Sequence, residues 1–403
     1  MRVLQINAVY HDGSTGVIVE DLHNIAIANN IESYVAYSTS SIPYGDIPNG
    51  YQIGNIFGRK LHAALCRING KQAYFSRFAT FRLLKFIKKI KPDVVHLHNL
   101  HSNFIHLNML LKYLAKNNVK TIVTLHDCWF YTGGCFHYTA VGCDKWQKDC
   151  GNCPKKLQDT PAYLFECSAK ILKDRKKYFS SINDLTVVGV SNWITEEAQK
   201  NVFKNSKALT IYNGIDTEIF KPTESDFRKK HNLENKFVIL GPASKWLSQV
   251  NKETFDSVVA SLKANESLVL LGCPQNKIGE LPNKVIGLPF VKDKNELSKI
   301  YSAADVFVNP TREESLSLIN IESQACGTPV ITYSNTGVKE TVDNICGFSV
   351  KTGDYVELID KIQYIKATGK QAFTLDAQKH VAQNFDKNDN YLKYIQTYIQ
   401  KGG

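Results

Sequence analysis

Several things are missing from this 403-residue chain, and each absence narrows what it can do. No apolar run is long enough to form a helix spanning a bilayer. The opening stretch, MRVLQINAVY, reads as a strand and not as a secretory leader, so a cytoplasmic protein is expected. Neither an RNA-binding signature nor zinc-finger spacing of Cys and His pairs occurs, and nucleic acid is not an expected partner. Acidic residues are absent from Arg59 to Lys91, a stretch that carries ten Lys/Arg of a chain with net charge +11. Its end, FSRFATFRLLKFIKKIKP, mixes bases with Phe, Leu and Ile at near-helical spacing. Two readings stay open: an amphipathic basic helix on an anionic membrane surface or lipid-linked substrate, or a surface helix whose apolar stripe meets the core.

What is present is an alternation. The strands RVLQINAV, DVVHLHN, TIVTLHD and LTVVGVS are separated by helical stretches such as VIVEDLHNIAIANN and NMLLKYLAKNN. The second half repeats the scheme with FVILGPAS, SLVLLGC, KVIGLPFV, DVFVNP and PVITY. Apolar strands alternating with helices predict parallel sheets covered on both faces, here an α/β protein of two Rossmann-like domains facing a cleft. Residues 1–210 and 211–375 are the expected domains, with 376–403 a terminal helical segment. The boundary falls near IYNGIDTEIFKP, punctuated by Asn-Gly and Pro.

The stretch TREESLSLINIESQACGTPVITY sets Glu314 and Glu322 eight residues apart. Glu314 falls in the loop at a strand's carboxyl end, the edge where parallel sheets bind ligands. A helix is expected from Ser315–Ser317 to Cys326, stopped by Gly327 and Pro329, with Glu322 inside it. Backbone N–H groups near Leu316, Ser317 and Leu318 would suit a phosphate, with a carboxylate on either side for hydroxyls. The plainer alternative makes Glu314 a capping residue and Glu322 a solvated helix glutamate.

EESLSLINIESQACGTPV resembles the Glu-x7-Glu signature of retaining glycosyltransferases of family 4, which have the GT-B fold. TIYNGIDTEIFKP, ELSKIYSAADVFVNPT and NTGVKETVDNICGFSV are similar to the segments that flank this signature, and the resemblance covers nearly the whole chain. TLHDCWFYTGGCFHYTAVGCDKWQKDCGNCP is similar to a subgroup building bacterial exopolysaccharides of the colanic-acid type. The resemblance implies an enzyme moving a sugar from a nucleotide-sugar donor to a glycan acceptor, lipid-linked in this subgroup. The first domain would take the acceptor and the second the donor, with peripheral contact at the inner face of the membrane. Glu314 would meet the donor sugar, Glu322 the ribose, and His126 the reacting sugar; Asp127 lies beside it. The family's Gly-Phe-Gly is here Ser315-Leu316-Ser317. Of the Arg and Lys that the family brings to the diphosphate, Lys252 is the choice for the Lys, and Lys245 stands in for an Arg without a match. Gly13 and Gly16 in HDGSTG would let backbone approach the donor or acceptor. His96, His98 and His101 read as strand-end packing and polar lining. No Asp-x-Asp motif stands out, so no catalytic metal is expected. The missing Arg and the altered glycines keep open a non-catalytic sugar-nucleotide-binding or scaffold subunit.

Of ten cysteines, Cys135, Cys143, Cys150 and Cys153 fall within 19 residues and end in Cys-x2-Cys. Four thiolates satisfy a tetrahedral structural zinc, with Cys128 an alternative ligand. Buried thiols or a disulfide are the other reading.

Overall fold

The computed structural model describes residues 1–159 and 161–400. The chain forms two compact units, Met1–Ile211 with the chain from Tyr391 onward, and Tyr212–Asn390.

The first unit holds seven strands: β1 (Arg2–Tyr10), β2 (Glu32–Ser40), β3 (Gly50–Gln52), β4 (Val94–Leu97), β5 (Lys120–Leu125), β6 (Leu185–Gly189) and β7 (Lys207–Thr210). They pair in parallel in the order β3-β2-β1-β4-β5-β6-β7. The second unit holds β8 (Phe237–Pro242), β9 (Glu266–Leu271), β10 (Val285–Leu288), β11 (Val306–Asn309), β12 (Val330–Tyr333) and β13 (Gly347–Val350). Its order is β10-β9-β8-β11-β12-β13, again parallel. Every residue of β4, β11 and β12 is buried, as strands covered by helices on both faces must be. Strand order reverses at β1/β4 and at β8/β11, so the carboxyl ends of these strands are where each unit can receive a ligand.

The terminal stretch from 376 is helical and divides between the two units. The helix Gln371–Asn384 buries Phe373, Ala377 and Val381 in the second unit. The next helix, Lys387–Ile399, passes into the first unit, where Tyr391, Tyr394, Ile395 and Tyr398 join a core with Val3, Ile18, Leu22 and Val94. The physical reason is the apolar seam at i, i+3, i+4 and i+7, which needs a sheet to cover it. Lys120 seals its end by donating to the carbonyls of Thr397 (2.7 Å) and Tyr398 (3.2 Å).

In the basic stretch, the helix Arg77–Ile90 buries Thr80, Leu83, Ile87 and Ile90, so an apolar stripe does meet the core. Phe78, 74% exposed, and Phe81 remain outside it. Among the described residues, no helix is long and apolar enough to cross a membrane.

Candidate active site

At the edge of the second sheet, the helix after β11 runs Leu318–Ala325, starting within three residues of the position the sequence pattern suggests. Ser317 is the N-cap residue, yet its side chain makes no cap hydrogen bond. Its hydroxyl instead accepts from Asn309 Nδ2 at 3.0 Å and turns toward Glu314. Asn309 also donates to Asn320 Oδ1 at 2.9 Å, and Asn320 to Thr341 Oγ1 at 2.9 Å. A buried amide network therefore takes up the capping oxygen, and the N-cap side chain leaves the first-turn N–H groups of the helix unbonded.

Glu314 sits in the loop just before this turn. Its amide donates to Thr336 Oγ1 at 3.3 Å, while its own Oε2 is buried without a partner. Burial raises this carboxyl above its ordinary range, against the pull of nearby Lys245 and the Ser317 hydroxyl. Thr336 holds φ at 45°, a costly region for a β-branched residue, so the contact is maintained against strain. On the helix itself, Glu322 accepts from Tyr301 OH at 3.0 Å. Burial pushes Glu322 up to about 7, partly offset by Tyr301 and by Lys294. The pair is thus neither a solvated helix glutamate nor a cap: both carboxylates are desolvated beside an uncapped helix end.

The first sheet presents a histidine chain at its own edge. Gln5 of β1 donates through Nε2 to the Val19 carbonyl, which leaves Oε1 to accept from His98 Nε2 at 3.2 Å. His98 Nδ1 then accepts from His126 Nε2 at 3.1 Å. This order, assigned from the network, fixes His126 as the Nε2–H tautomer and makes Nδ1 a bare acceptor, buried without a partner. Burial holds His126 down to about 4, so the ring stays neutral near pH 7. Asp127 accepts from the Trp129 amide (2.8 Å) and pairs with His101 (3.1 Å). Burial pushes its carboxyl up, but these partners outweigh burial and hold it below the usual value. His96 is spoken for, between Tyr398 OH at 2.8 Å and Thr124 at 2.7 Å.

A profile described as Glycosyltransferase Family 4 matches residues 47–219, and one described as Glycosyl transferases group 1 matches residues 227–367. The chain belongs to the family 4 glycosyltransferases of GT-B fold. Among curated relatives, the Escherichia coli protein WcaC, assigned as a glycosyl transferase of colanic acid biosynthesis, is 21% identical across 89% of each chain. Among solved structures, sucrose-phosphate synthase from Thermosynechococcus elongatus superposes with TM-score 0.70 at 19% identity, covering 98% of each chain. Anabaena HepE, crystallised with UDP, gives TM-score 0.66 at 16% identity over 98% of this chain and 99% of its own.

In this glycosyltransferase the expected residues separate into those that converge and those that do not. Glu314, Ser317, Leu318 and Lys245 share the edge of the second sheet. Lys245 follows β8 in the short helix Ala243–Trp246, anchored by Trp246 Nε1 donating to the Val308 carbonyl at 2.9 Å. Leu316 is buried, so packing and not phosphate contact occupies its side chain. Lys252 opens the helix Lys252–Ser261, is 62% exposed, and pairs with Asp256 four residues on. Gly13, at φ 65°, opens the helix Gly13–Ala28, whose N-cap Asp12 turns away to bond the Ser41 amide and hydroxyl, each at 2.6 Å. Gly16 packs on the preceding loop, where a Cβ would stand 3.2 Å from the His11 nitrogen. Cys135, Cys143, Cys150 and Cys153 all line one small cavity in the first unit, whereas Cys128 is buried apart from it.

Sequence reasoning missed Tyr301, Thr336, Gln5 and Arg312. Arg312 lies two residues before Glu314, with Nε donating to Asn251 Oδ1 at 2.9 Å. It lies in TREES, whereas the family resemblance points to an arginine after β8, in a different loop.

Proposed function

We propose that this glycosyltransferase moves a sugar from a nucleotide-sugar donor bound by the second unit to a glycan acceptor, with retention of anomeric configuration. The observation that carries the reading is the unpartnered Glu314 oxygen and the desolvated Glu322 carboxylate beside an uncapped helix N-terminus at the β8/β11 switch point. The helix amides receive the diphosphate, and Lys245 offsets charge as the nucleoside diphosphate leaves. Glu314 accepts from hydroxyls of the sugar and Glu322 from those of the ribose. On the first unit, neutral His126 offers Nδ1 to a sugar hydroxyl. In retention without an enzymic nucleophile, the acceptor oxygen bonds to the anomeric carbon on the face the diphosphate leaves, and a departing phosphate oxygen takes the acceptor proton. A thermal-shift screen of UDP- and GDP-sugars, on wild type and Glu322→Ala, tests the donor site. Stabilisation by one nucleotide class, lost in the variant, is expected. A folded wild type that no donor stabilises favours the sugar-nucleotide-binding or scaffold reading. Product configuration by NMR, in buffer with EDTA, tests retention and independence from a divalent ion.

The acceptor we propose is a lipid-linked glycan of bacterial polysaccharide synthesis, met at the inner face of the membrane. A groove of about 970 Å³ runs along the helices Ile56–Asn69 and Arg77–Ile90, lined by Phe57, Leu61, Phe78, Arg59, Arg77 and Arg82. Phe57 (79%), Leu61 (62%) and Phe78 (74%) are largely exposed. Exposed aromatics among arginines suit an anionic lipid surface. Sedimentation with phosphatidylglycerol vesicles, but not phosphatidylcholine, is expected, and Arg77→Glu with Arg82→Glu should abolish it. Equal binding of wild type and double variant defeats this reading.

A further inference from the structure

We propose that Cys135, Cys143, Cys150 and Cys153 bind one zinc ion, which holds the segment from Thr132 to Lys155 in its fold. This segment has no strand and no α-helix; its regular backbone is two short 3₁₀ turns, Thr139–Val141 and Lys145–Gln147. Yet only the turn Trp129–Tyr131 separates it from His126 and Asp127, whose placement must be held to fractions of an ångström for a sugar to bind. Its internal bonds are local and few: the Cys143 amide donates to the Tyr138 carbonyl at 3.2 Å, and Lys155 Nζ to that of His137 at 2.8 Å.

Four observations converge on a metal. All four sulfur-bearing side chains line the same cavity of about 20 Å³, the room of a single ion or water, together with Lys145, Trp146 and Ser168. None of the four is in a disulfide. A Cβ at position 133 would lie 2.9 Å from Cys150 Sγ and 2.6 Å from Ser168 Cβ, so only glycine admits the sulfur there. Finally, the Cys-x2-Cys turn bends through Gly151 at φ 143° and Asn152 at φ 46°. Lys145 Nζ clamps it by donating to the carbonyls of Gly151 (3.2 Å) and Asn152 (3.1 Å). The same ammonium offsets part of the two negative charges that four thiolates leave on a zinc complex.

Burial pushes the Cys135 thiol up to about 12 and that of Cys150 up to about 11, and raises that of Cys153. Zinc forms four Zn–S bonds of about 2.3 Å and releases four protons to solvent, so loading weakens as pH falls. The sulfurs stand wider than a filled site requires. Among the described residues, the donors whose ligand atoms all lie within 4.8 Å of one another are instead Asp343, Cys346 and His380. That trio is explained without an ion: Asp343 accepts from the amides of Ile345 and Cys346, each at 3.1 Å, and pairs with His380 at 3.3 Å. Neutral thiols have no such attraction to draw them together, and the ion would supply it.

The test is metal analysis of the full chain purified without chelator. One zinc per chain is expected, with a cobalt-exchanged protein showing thiolate charge-transfer and tetrahedral ligand-field bands. Cys150→Ser and Cys153→Ser should each lose the metal, while Cys346→Ala keeps it. If the serine variants fail to fold, the cobalt spectrum of the wild type still decides, because four sulfurs give a far stronger charge-transfer band than one. Three results overturn the proposal: a metal-free protein from zinc-supplemented cells, metal lost in Cys346→Ala but kept in the serine variants, or disulfides among the four cysteines by non-reducing mass spectrometry.

Discussion

At the scale of single residues, Glu322 carries the most specific consequence. Its folded-state value of about 7 exceeds the ordinary 4.5, so between those limits the folded chain binds the proton more tightly than the unfolded one. Stability is therefore lost as pH rises through this window, and above it a desolvated negative charge is retained at a cost. Glu322→Gln keeps an acceptor for Tyr301 and removes the charge. It is expected to raise the melting temperature at pH 8 and leave it nearly unchanged at pH 5, while weakening donor binding at both. Calorimetry at the two pH values, with a donor titration, checks both signs. His126 behaves differently, since it stays neutral down to about pH 4. Its imidazole should leave no acidic limb in kcat above pH 5, whereas His126→Ala should lower kcat by roughly 10²-fold. A pH–rate profile with a break near 6.5 assignable to His126 would contradict the acceptor role.

At the scale of elements, three adjacent strands orient one ring. Gln5 on β1 and His98 just beyond β4 reach His126 just beyond β5, and the first and last of these are 121 positions apart in a chain that reads continuously. Gln5→Leu removes the acceptor that fixes the His98 tautomer. The expected result is a roughly 10-fold lower kcat with donor affinity unchanged, and a changed Nδ1/Nε2 pattern of His126 in 15N spectra. An unchanged pattern would show that the ring is oriented by other means. The Asn-Gly-Ile-Asp segment makes a similar point about close approach. A Cβ on Gly214 would fall 2.3 Å from the Lys387 Cα, while Asp216 pairs with Lys387 at 2.9 Å and Ile215 bridges to Asp386. Gly214→Ala should cost about 3 kcal/mol by forcing two backbones apart, read as a lower denaturation midpoint. The sequence announces the glycine but not the backbone it admits, because the contact spans the whole second unit.

For the whole molecule, the last helix ties the chain's end to its beginning. Tyr398 OH satisfies the buried His96 Nδ1, and Tyr391, Tyr394 and Ile395 complete the core of the first unit. Tyr398→Phe should cost about 1–2 kcal/mol by leaving that ring nitrogen unpaired. Ending the chain at Asn390 should expose the β1/β4 core and lower the unfolding temperature of the first unit more than that of the second. Calorimetry resolving two transitions, or proteolysis that cuts first within residues 1–211, would show it.

The amino-acid pattern alone determined the α/β alternation, the two sheets, the strand-end position of His126 and the placing of Glu314 and Glu322 around a helix start. These follow from periodicity, capping chemistry and Gly/Pro punctuation, which are local, and from motif resemblance, which is ordered along the chain. It did not reveal β2, whose mixed polar run ESYVAYSTS hides a buried strand, nor the assignment of the last helix to the first unit. Tertiary structure alone decided that the Ser317 oxygen abandons its cap for Asn309, that Tyr301 meets Glu322, that Gln5 and His98 set the tautomer of His126, and that four cysteines share one cavity. In each case the deciding partner lies across a sheet or a loop crossing. Desolvation, the force that shifts these groups, depends on what surrounds a side chain and not on what precedes it in the chain.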